Sequence, residues 1–279
     1  MMYTLNCKGR LLVVDRPIVM GIINITPDSF FEGSRSMRQD GIIEKAERFL
    51  KEGATILDIG GQSTRPGSYA VSEEEEMSRV VDAVSWIHKQ YPAAILSVDT
   101  FFSSVAKASV EAGASMVNDI SGGFLDEAML ETVAALGVPY ICMHMRGTPQ
   151  TMGTLNHYDN MLVEIMDYFI ERIEACRKAG IKDIILDPGF GFAKNIRQNF
   201  FLLNNASFLN ALSKPWLAGL SRKGTIYKTL DIPVEESLNG TTVLNTIALS
   251  KGASILRVHD VKEAMQAIEL MEHVKSNLP

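Results

Sequence analysis

Eight short apolar runs in this sequence each end in a polar residue or polar cluster, and helical periodicity fills the intervals between them. The runs are Ile18–Ile23 ending at Asn24, Thr55–Leu57 at Asp58, Ile95–Val98 at Asp99, and Met116–Val117 at Asn118-Asp119. They continue with Tyr140–Met143 ending at His144, Ile184–Leu186 at Asp187, and Trp216–Leu220 at Ser221-Arg222-Lys223. The last, Ile255–Val258, carries Arg257 and ends at His259. Strands alternating with helices predict parallel βαβ units. Eight such units predict a (β/α)8 barrel of the TIM type, in which the C-terminal strand ends carry the chemistry.

The pattern also places the helices. They are predicted over 40–52, from Ser72 to Gln90, and over 103–112, 126–136, 158–179, 197–213, 235–250 and 261–274. Gly53, Gly113, Gly137 and Gly180 follow helical segments, where glycine supplies the left-handed stop. Ser72 to Glu75 reads as a capping box. The run Glu73–Glu76 reads as acidic side chains favoured by the first-turn dipole. Residues 3–14 predict an antiparallel hairpin turning at Lys8-Gly9-Arg10, outside the barrel and placed to close its bottom.

Composition narrows the class. At 279 residues with 46% apolar content and no linker-like stretch, the sequence reads as one domain, 1–279, with the barrel over 18–275. The net charge of −6 argues against non-specific nucleic-acid binding, though not against a small anion in a basic pocket. No run is long enough to span a membrane, and no signal peptide is evident. Three cysteines without metal-ligand spacing suggest a reduced, cytoplasmic protein, with Cys142 in the core.

Candidate chemistry gathers at the strand ends. Asn24-Ile25-Thr26-Pro27-Asp28-Ser29-Phe30 reads as a turn or as a site in which the Asn24 amide oxygen ligates a hard cation such as Mg2+. Gly60–Gly67 is a glycine-rich loop without the P-loop spacing; Thr64 and Arg65 in it offer donors to an anion, if it is more than a surface loop. Asp99, Asn118 and Asp187, each of which alone would pass for a helix cap, together match a ring that presents N–H donors beside a carbonyl. Ser221, Arg222 and Lys223 after the seventh strand, with Arg257 and His259 on the eighth, form a basic patch where this fold often binds phosphate. His144 and His157 lack partners at metal spacing and read as structural. G-x-S-x-G, H-E-x-x-H and G-x-G-x-x-G are all absent.

These segments resemble the dihydropteroate synthase family. The resemblance rests on Asn24–Phe30, Asp58–Gly67, Ser97–Thr100, Val117–Asp119, Asp187–Phe192, Gly219–Lys223 and Arg257–His259, in order over nearly the whole sequence. It implies condensation of a dihydropterin hydroxymethyl diphosphate with 4-aminobenzoate, giving 7,8-dihydropteroate and pyrophosphate. It implies that Asp99, Asn118, Asp187 and Lys223 hold the pterin, with Arg257 stacked on its face. Asn24 would ligate Mg2+ on the diphosphate, and Arg65, Arg257 and His259 would hold that leaving group. Thr64, Pro66, Phe192 and Ser221 would border the aminobenzoate. A homodimer and sulfonamide binding are implied as well, and the length leaves no room for a fused pyrophosphokinase or aldolase domain. The sequence departs from the family pattern at Phe31-Glu32-Gly33-Ser34, at Ala193 and at Gly224, none of them a proposed ligand. Two other readings share the pterin contacts. A corrinoid methyltransferase domain has no need of the basic patch. A degenerate, non-catalytic pterin binder would have lost one of Asn24, Arg65, Lys223 or His259, and all four are present.

Overall fold

The computed structural model describes residues 2–25, 35–62, 71–148 and 151–276. Eight parallel strands form one sheet: β3 (Ile18–Asn24), β4 (Ile56–Gly60), β5 (Ile95–Asp99), β6 (Met116–Asp119), β7 (Tyr140–Met143), β8 (Ile184–Asp187), β9 (Leu217–Ala218) and β10 (Ile255–Val258). β10 lies between β3 and β9. A parallel bridge from Leu186 to Trp216 joins β8 to β9 and closes the barrel. The helices between the strands are α1 (Arg35–Lys51), α2 (Glu73–Gln90), α3 (Ser103–Ala112), α4 (Met129–Leu136), α5 (Met161–Ala179), α6 (Ile196–Asn205), α7 (Gly224–Leu230), α8 (Leu238–Ser250) and α9 (Val261–Ser276).

Every strand is buried on both faces, which is why it reads as an apolar run. Alternation within each run sorts the side chains. The outward set, including Val19, Leu57, Leu96, Val117, Leu186 and Leu256, packs in one core with the inner faces of the helices. Gly21 belongs to this outward set. A Cβ there would lie 2.6 Å from the Phe49 ring, so glycine is what lets α1 approach β3 closely.

The inward set is layered. At the bottom, Ile18, Met20, Ile56, Ile95, Met116, Ile141, Ile185, Leu217 and Ile255 form an apolar plug with Leu5, Cys7 and Val14. Those last three come from the hairpin β1 (Tyr3–Cys7) and β2 (Arg10–Val14), which closes the bottom as its pattern predicted. Two residues further along the strands the inward positions turn polar, with Asp58, Ser97, Asn118, Asp187 and Arg257.

Several boundaries differ from the pattern. α1 starts earlier, at Arg35, and α4 starts later, because Asp126 is used in capping: its carboxylate accepts from the amides of Ser103 and Ala128. α6 ends at Asn205 and continues as a 3-10 segment, Ala206–Leu212. β9 is only two residues long, and α7 stands where a loop was expected. Ser72 caps α2 by accepting from the Glu75 amide at 3.2 Å, while the Glu75 carboxylate pairs with Arg79. Glu73–Glu76 form the acidic first turn of α2 as expected, and Glu76 stands apart within it. It is fully buried and accepts a hydrogen bond from Gln62.

Candidate active site

The C-terminal mouth of the barrel brings the strand-end residues together. Arg257 sits inward on β10 between two carboxylates. Its Nε donates to Asp58 Oδ2 at 2.6 Å and its Nη2 to Asp99 Oδ2 at 2.5 Å. Asn118 Nδ2 donates to the same Asp58 oxygen at 3.1 Å. Asp58, Asp99, Asn118 and Arg257 therefore form one hydrogen-bonded floor spanning β4, β5, β6 and β10. Burial pushes the Asp99 carboxyl up to about 7; Arg257 opposes the shift, and the charges of Asp58 and Asp119 reinforce it. Burial works against the charge of Arg257, but Asp58 and Asp99 outweigh it and hold the guanidinium above its usual range.

Asp187 and Lys223 make the second group. A Cβ placed on Gly219 would lie 3.8 Å from Lys223 Nζ and 3.9 Å from Asp187 Oδ2, so both groups face one small space. Lys223 donates to the Phe190 carbonyl, and its ammonium lies 4.7 Å from the centre of the Phe192 ring. Burial pushes Lys223 down to about 8 despite the attraction of Asp187. Burial likewise raises Asp187, against the pull of Lys223.

Ser221 and His259 pair at the ends of the last two strands. The His259 amide donates to Ser221 Oγ at 3.2 Å, and Oγ lies 3.0 Å from His259 Nδ1. A hydroxyl proton directed at Nδ1 would leave the proton of a neutral ring on Nε2. Burial, with Arg257 and Lys45 nearby, pushes His259 down to about 3 and keeps it neutral. Arg222 does not join the basic patch. Its guanidinium is held bidentately by Asp260, at 2.9 and 2.7 Å, and ties the β9 loop to the β10 loop. The cationic part of the patch is Lys223 with Arg257.

Asn24 ends β3 beside Gly60, half-buried at the mouth. Thr64, Arg65 and Pro66 lie outside the described residues, as do Phe31–Ser34. An apolar cluster of Ile120, Met143, Met145, Met152, Phe192 and Ala193 stands over the ends of β6, β7 and β8. Ala193 adopts a left-handed conformation, φ +48°, in which a glycine would be unstrained.

Two residues of this site escaped the sequence reading. Asp58 closes its apolar run and was given no role of its own, whereas it belongs to the floor, inside β4, which runs on to Gly60. Lys194 is buried in the loop after β8. Its Nζ lies 3.0 Å from His144 Nδ1 and donates to the carbonyls of Gly189 and Phe192, each at 3.0 Å. That places His144 in a structural role, and leaves His157 almost fully exposed beside Asp159.

A flat, buried floor of alternating carboxylate, amide and cation, with an apolar wall above it, suits a polar heterocycle. The family model for pterin-binding enzymes matches residues 20–259. The chain is 41% identical over 270 residues to the dihydropteroate synthase of Escherichia coli K12, covering 96% of this chain and 95% of that enzyme. It belongs to the pterin-binding enzymes, in the dihydropteroate synthase family. It is also 42% identical over 273 residues to the folic acid synthesis protein fol1 of Schizosaccharomyces pombe, of whose length it spans only 37%. The structure of Xanthomonas albilineans dihydropteroate synthase with 4-aminobenzoic acid superposes with a TM-score of 0.92 at 40% identity, covering all of both chains. Among the described residues no helix is long and apolar enough to cross a membrane.

Proposed function

We propose that the chain is the transferase that joins (7,8-dihydropterin-6-yl)methyl diphosphate to 4-aminobenzoate, giving 7,8-dihydropteroate and pyrophosphate. The observation that carries this reading is the buried floor of Asp99, Asn118 and Arg257 with the Asp187–Lys223 group beside it, in a chain so similar to enzymes of that name. The two carboxylates and the Asn118 amide oxygen accept from the ring's N–H groups, while Lys223 donates to its carbonyl. The Arg257 guanidinium, held at both edges, leaves a face free to stack on the ring.

Chemistry follows from where charge develops. The C–O bond to the diphosphate breaks with its electron pair leaving on oxygen, and positive charge spreads over the pterin methylene and ring. Asp99 and Asp187 lie where they stabilise that cation. Arg257 and Arg65 neutralise the leaving group, and the His259 Nε2–H donates to it. The amine lone pair of 4-aminobenzoate then closes the C–N bond, and the nitrogen loses its extra proton to solvent or to the departing diphosphate. Thr64, Pro66, Phe192 and Ser221 border the aminobenzoate. No protein nucleophile is required.

Mg2+ fits this mouth. Among the described residues no three His, Cys, Asp or Glu side chains are grouped to hold a metal. Asn24, half-buried at the end of β3, would offer such a cation its amide oxygen, a hard donor of the kind Mg2+ takes. When bound it supplies charge neutralisation on the leaving group. The protein is read as a cytoplasmic homodimer acting as one domain, which light scattering on the purified protein tests for its oligomeric part.

The test is pyrophosphate release from the dihydropterin diphosphate with Mg2+, with and without 4-aminobenzoate. Release that depends on 4-aminobenzoate and yields dihydropteroate supports the reading. Tight pterin binding without turnover refutes it in favour of a non-synthetic pterin barrel.

A further inference from the structure

Asp58 touches two of the residues assigned to the pterin and faces no solvent at all. Its Oδ2 accepts from Asn118 Nδ2 and from Arg257 Nε. A primary amide has two orientations that differ by exchanging oxygen and nitrogen. The flipped form of Asn118 would set its carbonyl oxygen against a carboxylate oxygen at about the same 3.1 Å separation, two acceptors without a proton between them. The carboxylate therefore selects one form, in which Asn118 Oδ1 is directed away from Asp58. The guanidinium is constrained in the same way. Nε and Nη2 both reach Asp58 Oδ2 on β4, each at 2.6 Å, and Nη2 also reaches Asp99 on β5, so its plane is set by two strands at once.

We propose that Asp58 is a positioning residue for the pterin reaction: it fixes the amide orientation of Asn118 and the plane of Arg257, so that the site offers the substrate an acceptor and a stacking face. This rests on the synthase reading for its substrate, but the geometry it asserts belongs to the free protein.

Charge gives a second consequence. Asp99 is faced by Asp58 from β4 and Arg257 from β10 and feels the charge of Asp119 on the outer face of β6, with Glu76 from α2 and Lys223 from the β9 loop nearby. Asp58 is a like charge that helps keep the Asp99 carboxyl up, and its removal lowers the pH at which Asp99 takes a proton. Asparagine at position 58 isolates this effect. Its carbonyl replaces Oδ2 as the acceptor, and its amide nitrogen takes the place of Oδ1. That oxygen has no hydrogen-bond partner among the described residues, and neither does the hydroxyl of Ser97, its register partner on β5.

The experiment compares wild type, Asp58→Asn and Asp58→Ala, each checked for folding by thermal unfolding. In the substrate-free protein, 1H–15N spectra read the Asn118 side-chain NH2 and the Arg257 Nε–H. Both signals are expected to keep their hydrogen-bonded positions in Asp58→Asn and to lose them in Asp58→Ala. Asp58→Ala is expected to weaken dihydropterin diphosphate binding by about tenfold or more, leaving the KM for 4-aminobenzoate within about threefold. Asp58→Asn is expected to lose less affinity than Asp58→Ala and to move the acid limb of kcat/KM down by about half a pH unit or more. Unchanged side-chain signals and pterin affinity in Asp58→Ala, or an unmoved acid limb in Asp58→Asn, overturn the proposal. A wild-type protein that shows the two signals but neither binds the pterin diphosphate nor releases pyrophosphate would instead sink the synthase reading, because the spectra test Asp58 without substrate.

Discussion

Gly189→Ala tests whether the segment from Asp187 to Asn195 positions Lys223. Gly189 lies in the left-handed region, φ +68°, where a residue with a Cβ pays about 1–2 kcal/mol. The added Cβ would also stand 2.1 Å from the backbone oxygen of His144. That oxygen cannot swing aside like the end of a side chain, because the His144 amide is bonded to the Asp187 carbonyl at 2.8 Å and follows directly on β7. Relief requires a shift of about 1 Å, and crowding of this kind typically adds about 1–3 kcal/mol. The shift falls on a segment whose Gly189 and Phe192 carbonyls accept from Lys194, and whose Phe190 carbonyl accepts from Lys223. A misplacement of about 1 Å in a positioning group costs about 100-fold in rate. We expect kcat/KM, measured by pyrophosphate release, to fall about 100-fold, with a loss of about 2–4 kcal/mol in chemical denaturation. A variant within about threefold of wild-type kcat/KM and with an unchanged denaturation midpoint would refute the claim that this segment positions Lys223.

Lys223→Ala removes the cation that faces Asp187 and is expected to cost about 100-fold or more in kcat/KM, read by the same release assay; full activity would remove Lys223 from the site. His259, pushed down to about 3, is expected to show no ring titration between pH 5 and 8 in NMR spectra. Because its folded-state value lies below the ordinary 6.5, the unfolded chain binds the extra proton first, so His259 contributes a loss of stability as pH falls from about 6.5 toward 3. Tyr140→Phe deletes the 2.7 Å hydrogen bond to the buried Asp119 carboxylate, which keeps the amides of Ser121 and Gly123. A loss of about 1–3 kcal/mol is expected in denaturation, with activity per folded molecule nearly intact, since both side chains point outward from the barrel.

The barrel was legible because each strand is buried on both faces and bounded by turn residues, a pattern that period and length resolve. What it could not resolve were features without a period. α7 spans two turns, too short for a repeating apolar face, and β9 contributes only two ladder residues although its apolar run is longer. The site was legible where a polar residue ended a run, as at Asp99, Asn118 and Asp187. Asp58 was missed because a polar residue that closes an apolar run says nothing by itself of the face it occupies. The signal was parity: Ile56 and Asp58 share a face, as do Ile95, Ser97 and Asp99, and the register pairs Asp58 with Ser97. Arg222 was misread because net charge along the sequence says nothing of a partner 38 residues away, Asp260. Glu73–Glu76 do form the acidic first turn of α2, but nothing in that run marks Glu76 as the residue that the stem of the β4 loop covers.

The hairpin bears on how the molecule is assembled. Leu5, Cys7 and Val14 share one apolar cluster with residues from all eight barrel strands, β3 through β10. Arg10 reaches the carbonyls of Pro92, Ala93 and Ala94, and the Asn6 amide reaches Asp183. The surface these residues need does not exist until β10 has found β3 and β9. The hairpin's full seat is thus complete only when the ring is. Protection of its amides from hydrogen exchange reports completion of the barrel, so a chain stalled with one strand out of the ring would be marked by a hairpin open to proteases.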